Sequence, residues 1–151
     1  MEDQERRNDS RNWNVDVLLD AGFARLPKSN VFERGHWVVL SPGISEGRNR
    51  RYLFDVRRVN LDKVHDTPRA AVLLRIDPAG FAFVPLRELE SYLNPSTESF
   101  GPNSGSLYRF SCSIDHSLGT VTITSARDSA VSLTTALMSR CRVEEVLSGL
   151  E

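Results

Sequence analysis

The fold of this chain is decided by residues 70–84, AAVLLRIDPAGFAFV. The first eight residues of this stretch, AAVLLRID, form a short and mainly apolar run that ends at turn residues, which predicts a strand. The residues at 77–80, DPAG, overlap the end of this segment and have the composition of a tight turn, so FAFV should return as a strand antiparallel to the first. Pro85 then favours the first turn of a helix.

Further elements are predicted on both sides of this hairpin from apolar periodicity and turn residues. They are, in chain order, a helix at 14–23, strands at 36–42 and 50–59, a polar loop at 60–69, a helix opened by Pro85, a breaker-rich loop at 94–106, a hairpin at 106–124 and a helix from about Leu133 to Leu147.

These elements predict an α+β fold. We expect a mostly antiparallel or mixed sheet with helices packed on one side, ending in a β-hairpin and a helix. At 151 residues the chain is long enough for one domain with its own core. We place this domain at 13–151 and predict a disordered tail at 1–12, which contains no large apolar side chain apart from its first methionine.

The formal net charge of the chain is only -1, so any site for a charged partner must come from local clustering. Such a cluster occurs at 48–58, RNRRYLFDVRR, where five arginines accompany one acid, Asp55. Strand alternation places Tyr52, Phe54 and Val56 in the core and Asp55 with Arg57 on the opposite face.

The strand at 70–77 repeats this pattern, with Arg75 and Asp77 opposite an apolar face. If the two strands are neighbours, one sheet face presents acids and arginines together. One interpretation is a set of surface ion pairs on a solvated face. The other is phosphate binding, because the arginines outnumber the local acids and guanidinium groups bind phosphate bidentately. The nucleic-acid-binding residues predicted in this way are Arg48, Arg50, Arg51, Arg57, Arg58 and Arg75.

Two segments also resemble a known family. FDVRRVN, residues 54–60, is similar to the Glu-x-Lys strand of the PD-(D/E)XK nuclease-like core, with Asp55 in the acidic position and Arg57 in the lysine position. FAFVPLRELESYL, residues 81–93, resembles the strand and helix that end this core in some restriction and intron-encoded endonucleases. The resemblance covers roughly residues 14–93.

The resemblance implies a metal-dependent endonuclease, in which Asp55 and Arg57 would be catalytic and Asp55, Asp77 and Glu46 would hold Mg²⁺ or Mn²⁺. The family needs a second carboxylate before the motif, however, and only Glu46 is available there. Arg57 is always charged and cannot accept a proton. The sequence therefore favours a catalytically degenerate nuclease-like domain that binds nucleic acid without a cofactor, and it leaves enzymatic activity open.

Three hypotheses about function follow. The first is a nucleic-acid-binding protein, acting on DNA in a DNA-processing or restriction-like system. The second is an active metal-dependent endonuclease, and the third is a module that docks an acidic protein. The two cysteines, Cys112 and Cys141, lie among apolar residues and are expected to be buried thiols of a cytoplasmic protein. No segment is apolar over a length that would predict a membrane span.

Overall fold

The computed structural model describes residues 15–27, 29–46, 51–64, 67, 69–77, 80–102 and 105–150. Within these ranges the chain has four helices and eleven strands. The helices are α1 (residues 15–20), α2 (Arg58–Val64), α3 (Leu86–Glu90) and α4 (Arg140–Ser148). The strands are β1 (Ala24–Arg25), β2 (Val31–Arg34), β3 (Trp37–Leu40), β4 (Ile44–Glu46), β5 (Tyr52–Arg57), β6 (Ala70–Asp77), β7 (Gly80–Pro85), β8 (Glu98–Gly101), β9 (Gly105–Asp115), β10 (Thr120–Ser125) and β11 (Ser132–Ala136).

This content confirms the predicted α+β class. The predicted tail at 1–12 lies outside the described residues. No helix in the described part of the chain combines the length and the apolar character that crossing a membrane requires.

The strands form two sheets. The first, which we call the inner sheet, has the order β1-β2-β3-β6-β7, and β3 with β6 is its one parallel pair among the described strands. The second, the outer sheet, has the order β11-β10-β9-β5-β4 and is antiparallel throughout its described pairings, with β8 added beside β9. The sheets join where Phe81 of β7 exchanges backbone hydrogen bonds of 2.8 and 2.7 Å with Met138.

The main core lies between the two sheets. β5 contributes to it as predicted, because Phe54 and Val56 are buried and Tyr52 is half-buried, whereas Arg57 is exposed. Phe54 stacks on Phe110 of β9 with ring centroids 5.4 Å apart. Buried apolar residues that complete this core from the inner sheet are Val31, Leu40, Val72, Leu74, Ile76, Ala82 and Val84.

A second core lies on the other face of the inner sheet, where α1 and α4 pack. The helices contribute Val17, Leu18, Val143 and Leu147, and the sheet contributes Phe32, Val39, Leu73 and Phe81. The helices of this layer therefore cover one side of a sheet, as predicted. Leu19 of α1, by contrast, is about half exposed at 49%.

One arginine connects this layer to the inner sheet. Arg34, at the end of β2, donates hydrogen bonds of 2.6 Å to the carbonyl of Ala21, 2.9 Å to that of Leu147 and 2.7 Å to that of Leu150. These carbonyls lie at the C-terminal ends of α1 and α4. The last carbonyls of a helix have no intrahelical N–H donor, and the helix dipole attracts a cation there. The guanidinium also stacks on the Phe23 ring at 4.7 Å.

Several predicted boundaries are wrong. The region 60–69, expected as a loop, contains most of α2, and the breaker-rich loop contains β8. The helix expected from Leu133 starts only at Arg140, because the residues before it form β11 and Ser139 caps the helix by accepting a 3.2 Å hydrogen bond from the Arg142 amide. The prediction that both thiols are buried holds for Cys112 only, since Cys141 is exposed on α4.

We predict that Arg34→Met lowers the free energy of unfolding by about 2 to 4 kcal/mol, because it leaves three helix-terminal carbonyls without their charged donor. Chemical denaturation would measure this difference. The matched control is Arg87→Met, which removes the same group from an exposed position on α3. A loss below about 0.5 kcal/mol for Arg34→Met, which is typical of a surface substitution, would contradict the role given to Arg34.

We also predict that the two thiols differ in reactivity. Burial raises the pKa of Cys112 to about 12, so its reactive thiolate is scarce at pH 8, and its side chain is covered as well. A disulfide reagent at pH 8 should modify Cys141 quickly and Cys112 only when the protein unfolds. Cys141→Ser should abolish the fast phase. Two fast thiols in the native protein would show that Cys112 is not enclosed.

Candidate functional site

The centre of the candidate site is an ion pair on the exposed face of the outer sheet. Asp55 of β5 and Arg109 of β9 are directly opposite each other in the strand register. Arg109 donates from Nε to Oδ1 of Asp55 at 2.7 Å and from a terminal nitrogen to Oδ2 at 3.1 Å. These hydrogen bonds and the charge of Asp55 raise the pKa of Arg109 above its ordinary value. Burial lowers this pKa by a smaller amount.

A groove of about 460 Å³ lies in front of this pair. We call it the polar groove. Its floor is the exposed face of β5, and its walls come from the segment before β2, the connection into β4 and the first turn of α2. Its polar lining residues are Asn30, Ser45, Asp55, Arg57, Asn60 and Arg109.

A second depression of about 370 Å³ adjoins the polar groove, and we call it the basic pocket. It shares Asn30, Arg57 and Asn60 with the groove. Its other charged lining residues are Arg25 of β1 and Lys63 of α2. Arg57 therefore lies where the two depressions meet.

The turn that leads into β2 fixes the position of Arg25. Its Nε donates to the carbonyl of Ser29 at 2.8 Å, a terminal nitrogen lies 3.5 Å from Oδ1 of Asn30, and its guanidinium lies 5.9 Å from the Phe32 ring centroid. The Ser29 hydroxyl is itself held, since it donates to the Leu26 carbonyl at 2.8 Å. Arg25 is thus positioned before any ligand arrives.

The charge of the site is strongly positive. The lining of the groove and the pocket contains four cations, Arg25, Arg57, Lys63 and Arg109. Among the described lining residues Asp55 is the single carboxylate, and Arg109 already occupies both of its oxygens. In the described part of the chain no hydrogen bond or ion pair engages the Arg57 side chain, which is exposed.

Beyond the ion pair, serine and threonine side chains line much of this face on β9, β10 and β11. Strand register aligns Ser113, Thr122 and Thr134 in one row, and the hydroxyls of the two threonines are 3.2 Å apart. This agrees with the orientation that alternation predicts for β9 and β10. The outer sheet therefore presents a polar face that ends at the polar groove.

The structure separates the sequence-predicted arginines. Arg51 is exposed just before β5, whereas Arg58 begins α2 and turns away from the groove. The Arg58 guanidinium donates to the Tyr108 hydroxyl and lies 3.7 Å from a carboxylate oxygen of Glu98. Arg48 and Arg50 lie outside the described residues.

The condition under which Arg75 would share a face with Asp55 and Arg57, that their strands are neighbours, is not met. β5 belongs to the outer sheet and β6 to the inner sheet, so the two strands are not neighbours. Arg75 is buried, on the same face of β6 as Leu73, which packs toward the helices. Its guanidinium is therefore remote from the polar groove.

The described residues do not assemble the oxygen ligands that a divalent metal needs. Asp55 and Asp77 belong to different sheets, which pack about 10 Å apart. Glu46 pairs in register with Tyr52, and the side chains of Glu46 and Asp77 lie outside the described part. Within that part, no three His, Cys, Asp or Glu residues are grouped in a way that could hold a metal.

The sequence-based prediction includes only Asp55 and Arg57 of the polar residues that line the groove and the pocket. It omits Arg25, Asn30, Asn60, Lys63 and Arg109. The signal for Arg109 was present, because it is the one cation in a strand whose polar face otherwise carries serines. The register between β5 and β9, which pairs residues 54 positions apart, could not be read from either strand alone.

No protein-family model, curated protein or solved structure matches this chain. The resemblance to the PD-(D/E)XK nuclease-like core therefore stays a prediction.

We predict a measurable coupling between Asp55 and Arg109. A double-mutant cycle built from Asp55→Asn, Arg109→Gln and the double variant should give a coupling free energy of about 0.5 to 1 kcal/mol, at the upper end for partly exposed pairs because the contact is bidentate. Urea denaturation of the four proteins would measure it. Additive effects of the two substitutions would mean that the pair does not persist in solution.

Proposed function

We propose that this chain binds the sugar–phosphate backbone of a nucleic acid, DNA in the first instance, through the polar groove and the basic pocket. The observation that carries the proposal is the position of Arg57. It is exposed on a strand whose other face is fixed in the core, and it lies between the two depressions. In the described part of the chain it has no carboxylate partner.

The fixed geometry of two of the cations supports this proposal. Arg109 is held by Asp55, and Arg25 is held by the turn before β2. Less side-chain entropy is lost on binding when such groups are already ordered. Guanidinium groups match the paired oxygens of a phosphate, so this arrangement suits phosphate contacts.

The lining residues favour backbone contact over base stacking. Proteins that hold single-stranded bases by stacking present exposed aromatic side chains. The one aromatic residue that lines either depression is Phe54, and it is buried. Contacts to phosphate and sugar position a nucleic acid without reading its sequence, so we expect little sequence preference from this surface.

Metal-dependent cleavage is not part of the proposal. Both oxygens of Asp55 are hydrogen-bonded to Arg109, and metal ligation by Asp55 would have to break that pair. A second candidate function, docking of an acidic protein, is favoured by the net charge of -1, which provides no long-range attraction for DNA.

We predict that Arg57→Gln weakens binding of a short DNA duplex about fivefold to tenfold at moderate salt. Each phosphate contact releases counterions, so the slope of log affinity against log salt should become less steep by about 0.9. Fluorescence anisotropy across a salt series would measure both quantities. Arg87→Gln, with the same change of net charge at an exposed site on α3, should leave both unchanged.

Three results would count against the proposal. Absence of DNA binding by the unaltered protein at low salt would remove its basis. Equal effects of Arg57→Gln and Arg87→Gln would show that only net charge matters. Stronger competition by an acidic polypeptide than by DNA would favour the protein-docking alternative.

A further inference from the structure

We infer that the basic pocket binds a phosphate monoester, and therefore that the nucleic acid is held at a phosphorylated end. This inference rests on the proposed function and goes further, because it assigns the two depressions different ligands. The groove would take an internal phosphodiester, and the pocket would take the terminal phosphate with its nucleotide.

The charges of the two depressions differ. In the polar groove Arg109 is paired with Asp55, and Arg57, which both depressions share, brings the net charge to +1. In the basic pocket Arg25, Arg57 and Lys63 contribute +3, and its described lining contains no carboxylate. A phosphate monoester carries about -1.5 to -2 charges and three acceptor oxygens, so it matches three converging cations better than a diester does.

The three cations come from three elements, which is unlike the pattern of a solvated helix or strand face. Arg25 is on β1, Arg57 is the last residue of β5, and Lys63 is on α2. α2 is anchored beside the pocket by Val64, which is 2% exposed. In the described part of the chain, no ion pair neutralises any of the three cations.

The remaining lining residues suit a nucleotide attached to the phosphate. A volume of about 370 Å³ is within the range of small-ligand sites, so the pocket can hold more than a phosphate group. Val59 lies in its lining with 48% of its surface exposed, and an apolar side chain there can contact a sugar or the face of a base. The amides of Asn30 and Asn60 can donate to and accept from the polar edges of the same nucleotide.

The experiment compares one short DNA duplex with three kinds of end, namely a 5′-phosphate, a 3′-phosphate or hydroxyls only. We expect at least one of the phosphorylated forms to bind the unaltered protein fivefold or more tightly than the hydroxyl form. Lys63→Gln should remove this preference, so that the variant binds the three forms within twofold of one another, because Lys63 lines the basic pocket. Arg25→Gln gives an independent second variant, and Arg87→Gln is the control.

The outcomes separate this inference from the proposed function. Salt-dependent binding that is equal for all three ends would overturn the inference and leave backbone binding in place. A preference that survives both Lys63→Gln and Arg25→Gln would place the terminal phosphate elsewhere and would also overturn the inference. Tighter binding of a free nucleoside monophosphate than of the phosphorylated duplex would show that the pocket serves a small metabolite, which contradicts the assignment to a nucleic-acid end.

Discussion

Burial of the inner sheet on both faces is the constraint on which the rest of the structure depends. Every side chain from Ala70 to Ile76 in β6 is buried, so this strand needs one apolar layer on each side. α1 and α4 supply one layer, and the outer sheet supplies the other. Because the apolar face of the outer sheet packs in this contact, its other face carries mainly polar residues. The polar groove and the basic pocket lie at one end of these layers. Their cations are on β-strands and α2 and not on long loops.

The parts of the fold that depend on local chemistry could be predicted from the sequence. Strand alternation identified the buried face of β5, and the turn residues at 77–80 identified the β6–β7 hairpin. The partition of strands between two sheets could not be predicted, because it is decided by contacts between distant segments. α2 was missed because a seven-residue helix with one buried side chain, Val64, has almost no apolar periodicity. β11 was mistaken for helix because it runs within a few residues into α4, and the capping residue Ser139 was the signal that could have divided them.

The candidate site could be predicted only in part, for a related reason. The exposure of Arg57 and its position beside Asp55 follow from alternation within one strand. The partner of Asp55, however, is Arg109 on β9, which meets it through the register of the outer sheet. The strand that contains Arg75 has a similar order of charged and apolar residues, which predicted that Arg75 joins the same cluster. Arg75 lies instead on the face of β6 that packs toward the helices. Arg25 and Lys63 carry no sequence signal, since each becomes significant only when β1, β5 and α2 converge.

The contacts of Arg34 have a consequence for the motions of the native protein. The Arg34 guanidinium donates to the carbonyl of Ala21, which lies beside α1. It also donates to the carbonyls of Leu147 in α4 and of Leu150 just after it, so it connects two segments that are more than 100 residues apart in the chain. If either helix leaves the inner sheet, the other loses a shared anchor and a shared apolar surface. Amide hydrogens of α1 and α4 should therefore exchange with solvent as one cooperative unit, at a lower opening free energy than those of the β5–β9 pair. The polar groove lies on the outer sheet and would stay assembled while the helical layer opens.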